Sequence, residues 1–180
     1  MLILGIDPGT AAVGLGLIEY ENKKIILRGY TCLKTLPGES TADRLKDLAG
    51  QLEKFIKKYR PKIVAVEDIF FFKNQKTVVK VSQARGVILL AAARSGAQIF
   101  EFTPLQVKQA LTGYGRAEKK QIQEMVKNVL QLKEIPRPDD AADALALAIC
   151  CAHSLPPHLI GIMNPVQTGF IEQTKRKYIL

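Results

Sequence analysis

Acidic residues stand where apolar runs stop. Asp7 follows the run Leu2 to Ile6, Glu67 follows Ile63 to Val66, and Asp139, Asp140 and Asp143 open an alanine-rich stretch. Asp140 and Asp143 are three apart, so on a helix they project from one face, and Ala141 and Ala142 leave the space beside them open. Asp139 and Asp143 are also one helical turn apart, so spacing alone leaves both Asp139 and Asp140 as candidates. Gathered carboxylates raise one another's pKa unless a cation neutralises them, so a divalent metal is the natural occupant of such a cluster. An all-oxygen donor set suits Mg²⁺ or Mn²⁺. Zinc would call for Cys or His, and the two histidines, His153 and His158, lie beyond the start of the acidic helix. Two such ions about 3.5 to 4 Å apart activate water and stabilise the leaving oxygen in phosphodiester hydrolysis. Taken singly, Asp7 also suits a tight turn and Asp139 and Asp140 a helix start. Glu67 is different, because a carboxylate that ends a buried strand just before Phe70-Phe71-Phe72 needs polar company.

The elements that must position these acids follow from periodicity. Leu2 to Ile6 is a short apolar strand ended by Asp7-Pro8-Gly9, where Pro fixes one backbone angle and Gly permits the turn. Val13 to Tyr20 and Lys24 to Thr31, divided by Glu21-Asn22-Lys23, complete a three-strand antiparallel meander. From Ser40 the period changes to three and four, through Leu45, Leu48, Leu52, Phe55, Ile56 and Tyr59, which predicts an amphipathic helix. Ile63 to Val66 is a buried strand, Gln75 to Arg94 a helix and Ala97 to Phe102 a last strand. Thr103 to Leu111, Glu118 to Leu132 and Asp140 to Ala152 read as three more helices, separated by Gly113-Tyr114-Gly115 and Pro136-Arg137-Pro138, with the last expected to pack on the sheet. Residues 155–180 lack periodicity and carry Lys175-Arg176-Lys177, so the core domain is expected over 1–154, with an extended or partly disordered tail over 155–180.

Composition bounds the class. A chain of 180 residues, 47% hydrophobic and 24% charged, suits one soluble α/β domain with a substantial core. Its formal net charge of +9 favours a polyanionic partner such as nucleic acid. Cys32, Cys150 and Cys151 form no CxxC pair and read as buried thiols of a reducing cytosol, and no run reaches the roughly 18 apolar residues of a membrane span. A cytoplasmic protein is expected. An actin-like ATP-binding reading of Asp7-Pro8-Gly9-Thr10 is disfavoured, because that architecture needs two lobes and no GxxxxGK[ST] stretch is present.

Six motifs stand in order across residues 2–153: GIDPGT at 5–10, VED at 66–68, QARG at 83–86, QVKQ at 106–109, AEK at 117–119 and DAADALA at 140–146. Together they resemble the RuvC family of Holliday-junction resolvases, the crossover junction endodeoxyribonucleases. The resemblance implies a ribonuclease-H-like fold, a mixed five-stranded sheet flanked by helices. It implies that Asp7, Glu67, Asp140 and Asp143 bind two catalytic Mg²⁺ (or Mn²⁺) ions, with Asp139 a non-ligand neighbour. Lys108 and Lys119 fall at the family's basic positions near the scissile phosphate. Phe70 falls where a ring stacks on an unpaired base at the junction centre.

Lys76, Arg85, Arg116 and Lys120 are candidates to extend the basic DNA-binding surface. A four-way junction has near two-fold symmetry and needs two opposed cuts, so a homodimer with one site per subunit is expected. The apolar helix near 77–90 is a candidate for its interface. The resemblance further implies cooperation with a branch-migration motor of the RuvA and RuvB type.

Overall fold

The computed structural model describes residues 1–9, 11–68 and 75–156, with backbone alone for 75–77. Its order is β1 (Leu2–Asp7), β2 (Ala12–Glu21), β3 (Lys24–Lys34), α1 (Thr41–Tyr59), β4 (Ile63–Glu67), α2 (Gln75–Arg94), β5 (Gln98–Phe102), α3 (Pro104–Thr112), α4 (Lys119–Val129) and α5 (Asp139–Ser154). The strands form one five-stranded sheet in the order β3-β2-β1-β4-β5. β1, β2 and β3 run as the expected antiparallel meander, while β4 lies parallel to β1 and β5 parallel to β4. This is the mixed sheet of the ribonuclease-H-like fold.

Period-two alternation sorts the strands' side chains between two cores. Ile3, Ile18, Ile63 and Ala65 join the cluster under α3, α4 and α5. Leu4, Ile6, Leu15, Leu17, Val64 and Val66 join the opposite cluster under α1 and α2. Ser40 caps α1 by accepting from the Asp43 amide at 3.2 Å, and Arg60 ends the helix in the left-handed region with its amide on the Ile56 carbonyl at 2.7 Å. α4 stops at Val129, short of the expected Leu132, because Gln131 adopts a left-handed φ of 52° although the apolar spacing continues through Leu130 and Leu132.

α5 lies closer to the sheet than side chains allow. Gly5 and Gly16 are paired across β1 and β2, and Gly14 is paired with Asp7. A Cβ on Gly5 would stand 1.9 Å from the Ala144 carbonyl oxygen, one on Gly14 2.0 Å from the Asp140 carbonyl oxygen, and one on Gly16 2.6 Å from the Leu145 amide nitrogen. The three glycines therefore form a trough that receives the helix backbone itself. Ala141, Ala144, Leu145 and Ala148 are fully buried against it.

Gly5→Ala should push α5 off the sheet and cost about 1–3 kcal/mol or more, the usual scale of overpacking. Gly50→Ala, in α1 where an added Cβ meets nothing within 4 Å, should be neutral or stabilise by about 0.5–1 kcal/mol. Urea denaturation of the two variants checks both signs.

A candidate carboxylate active site

Alternation aims the two strand-end acids at the same place. Asp7 continues the series Ile3, Gly5, and Glu67 the series Ile63, Ala65, so both face α5. The parallel register pairs Ile6 with Val66, and Asp7 and Glu67 are the next residue on each strand, so they leave adjacent strands at one level. The glycine trough brings the first turns of α5 over that spot, with Asp140 directly above Gly14, the partner of Asp7.

The electrostatics follow from the nearness of the four acids. Burial is the main force lifting Asp7, and the charges of Glu67, Asp143 and Asp140 add to it, so its carboxyl is pushed up to about 8. Glu67 is raised first by burial and then by Asp143. Asp143 is also raised chiefly by burial, with Asp139 and Asp140 contributing and Lys119 opposing. Asp140 and Asp139 separate here: Asp140 acts on Asp7 and on the Cys32 thiol, whereas Asp139 is held by Arg137 at 2.5 Å and by Lys119 at 3.6 Å.

Lys119 is the cation of the cluster. The Glu118 amide donates to Gln121 Oε1 at 2.8 Å and so starts α4 at Lys119, whose Nζ reaches Asp143 Oδ2 at 2.8 Å. Burial would lower this ammonium, but the hydrogen bond and charge of Asp143, then Asp139 and Asp140, outweigh it and raise the group. No three acids, histidines or cysteines among the described residues are gathered closely enough to enclose an ion. Four carboxylates are donors that suit a hard divalent cation, and the neighbouring Cys32 thiol, pushed up to about 11 chiefly by burial, is held away from the thiolate form that a soft metal needs. Cys150 and Cys151 are buried in α5, and all three cysteines are free thiols.

The other candidates are scattered by comparison. Lys108 is half-buried on α3, and Arg116 and Lys120 are exposed on either side of the α4 start; none of the three pairs with an acid among the described residues. Arg85 is turned inward onto protein acceptors: Asp68, Glu101 and the Glu67 carbonyl oxygen. Phe70 lies outside the described residues, as does the side chain of Lys76. Sequence reasoning missed the trough. Its signal was Gly14-Leu15-Gly16, two glycines on one face of a strand that otherwise reads as core.

A carboxylate whose folded-state pKa lies above its unfolded value of 3.8 stabilises the fold below pH 4, and that contribution is lost as pH rises through about 8. In chelator, Asp7→Asn should therefore match the parent near pH 4 and exceed it increasingly towards pH 8, by a few kcal/mol on the scale of about 1.4 kcal/mol per unit. Thermal melts across that range check it. A difference that shrinks as pH rises would mean that Asp7 is stabilised as an anion.

Comparison with known proteins places the chain in a family. The family described as crossover junction endodeoxyribonuclease RuvC matches residues 3–151. A crossover junction endodeoxyribonuclease RuvC from Pelotomaculum thermopropionicum is 56% identical over 153 residues, covering 85% of this chain and 93% of that protein. The solved structure of Thermus thermophilus RuvC aligns with a TM-score of 0.79 at 39% identity, over 85% of this chain and 94% of that one. The T. thermophilus RuvC structure in complex with a Holliday junction substrate aligns at 0.77 and 36% identity, with the same coverage. With its six motifs on a matching fold and its carboxylates at one strand end, the chain belongs to the RuvC family of crossover junction endodeoxyribonucleases.

Proposed function

We propose that this chain resolves Holliday junctions, as a structure-specific endonuclease that makes paired, symmetric, metal-dependent nicks during DNA recombination and repair. The observation that carries the reading is the convergence of Asp7, Glu67, Asp140 and Asp143 at the end of two parallel strands, beside a lysine, in a family of DNA endonucleases. The relative solved with a Holliday junction substrate supports the same choice of DNA.

Membership of this nuclease family implies a divalent metal. In the proposed site Asp7, Glu67, Asp140 and Asp143 hold Mg²⁺ or Mn²⁺, two per subunit. When bound, the ions supply an activated water and neutralise charge on the phosphodiester. Burial and mutual repulsion raise the carboxyls of Asp7, Glu67 and Asp143, and a cation bound among them offsets that repulsion as it displaces their protons. Lys119, at the rim of the cluster, offsets charge at the scissile phosphate, and Lys108 does the same from α3. Arg116, Lys120 and Lys76 extend the track along the DNA backbone, and Phe70 stacks on an unpaired base.

Residues 1–154 form the nuclease domain in this reading. Two copies act together, one per opposed strand of the junction. Val79 and Leu90 are exposed on α2, and Gly86 lies between them with open space around it, which supports that helix as the dimer face. No helix among the described residues is long and apolar enough to cross a membrane. The enzyme is proposed to work in the cytoplasm, alongside a RuvA and RuvB type branch-migration motor.

The test compares the protein and its Asp7→Asn variant on a labelled four-way junction and a matched linear duplex, with Mg²⁺ and with chelator. Paired symmetric nicks are expected in the junction alone, abolished by chelator and by the substitution, with junction binding preserved. Tight binding without nicks would make the chain a branched-DNA binding protein, and preferential cutting of an RNA hybrid would move it to another nuclease class. Junction affinity should also fall steeply with salt, since each phosphate contact releases counterions.

A further inference from the structure

Arg85 leaves the basic surface on which its charge would meet DNA and closes on the far side of the catalytic strand. It sits on α2, between the buried residues Ala84 and Ile88, with 22% of its side chain exposed. Its Nε donates to the carbonyl oxygen of Glu67 at 3.2 Å. Its Nη2 donates to Asp68 Oδ1 at 3.2 Å and forms a close ion pair with Glu101 Oε2. Asp68 begins where β4 ends, and its amide donates to the Phe102 carbonyl at 2.8 Å. Glu101 lies on β5, paired in register with Val66. One guanidinium thus ties α2 to the ends of two adjacent strands, at the residue that carries a proposed metal ligand.

The charge balance argues against a phosphate contact. Arg85 faces two carboxylates, so the group as a whole is negative and repels a DNA backbone. The geometry argues for a mechanical role. A backbone carbonyl fixed from α2 sets the direction of the Glu67 Cα–Cβ bond, and that bond aims the carboxylate across the sheet at Asp7 and α5. Lysine, a single point charge, could not hold three acceptors in a planar fork.

We propose that Arg85 is a positioning residue, which locks the end of β4 from the face opposite α5 and so presents Glu67 to the metal site. This rests on the reading of Glu67 as a metal ligand. The parent chain and its Arg85→Lys, Arg85→Gln and Glu101→Gln variants would be titrated with Mn²⁺ in the absence of DNA, by electron paramagnetic resonance. Each would then be assayed for nicking of the four-way junction and for junction affinity across a range of salt. Both Arg85 variants should bind Mn²⁺ about tenfold or more weakly and lose nicking kcat by a similar factor, the scale expected for partners that orient a ligand. Their junction affinity and its salt slope should stay at the parent's values, and Glu101→Gln should fall between parent and variants. Should Arg85→Gln fail to fold, Arg85→Lys and Glu101→Gln carry the same comparison. Unchanged Mn²⁺ affinity with weaker junction binding and a salt slope reduced by about one would make Arg85 a phosphate contact and overturn the proposal. Native nicking in the Arg85 variants would overturn it too. A parent chain that binds no Mn²⁺ would instead bring down the ligand assignment beneath it, an outcome told apart by the parent alone.

Discussion

The close seat of α5 on β1 and β2 is the contact on which the rest of the site depends. Three glycines on one face of two paired strands remove every side chain that would hold a helix away, and an alanine-rich helix surface fills the space. Only then do Asp140 and Asp143 come within electrostatic reach of Asp7, whose own position is fixed by the last step of β1. A helix held off by ordinary side chains would carry the same acids a few ångströms further out, where water screens them from one another.

This seat brings together groups that resist being together. Burial and like charge both act against the ionised acids, and the fold answers with Lys119, while on the strand's other face Arg85 is taken up by Asp68 and Glu101. The two cations are used differently. Lys119 sits at the mouth of the cluster, where its ammonium can exchange one anionic partner for another. Arg85 is spent on fixed acceptors. The sheet between them is a rigid partition whose alternating side chains supply two separate cores, so the faces can be built independently and still meet at one strand end.

Much of this was legible in the sequence. The order of strands and helices followed from periodicity, and strand alternation alone aims Asp7 and Glu67 at one face once the strands are placed. What was hidden has a physical reason in each case. Helical spacing treats Asp139 and Asp140 alike as neighbours of Asp143, and only the rotation of α5 in its seat turns Asp140 towards Asp7 and leaves Asp139 to Arg137 and Lys119. Arg85 reads as one more surface cation, because its acidic partners Asp68 and Glu101 are 17 and 16 residues away in the chain. Gly14 and Gly16 read as weak points in a strand, since the helix that needs them lies more than a hundred residues later.

A trough made by omission has a one-way tolerance. Its walls are backbone atoms, common to every residue, so no side-chain exchange can draw the helix nearer, and any exchange at the three glycines can only force it outward. The spacing between strand acids and helix acids is therefore at a floor. Sequence drift elsewhere can soften or stiffen the surroundings, but at this seam it can move the acids in one direction only, towards wider spacing and weaker coupling.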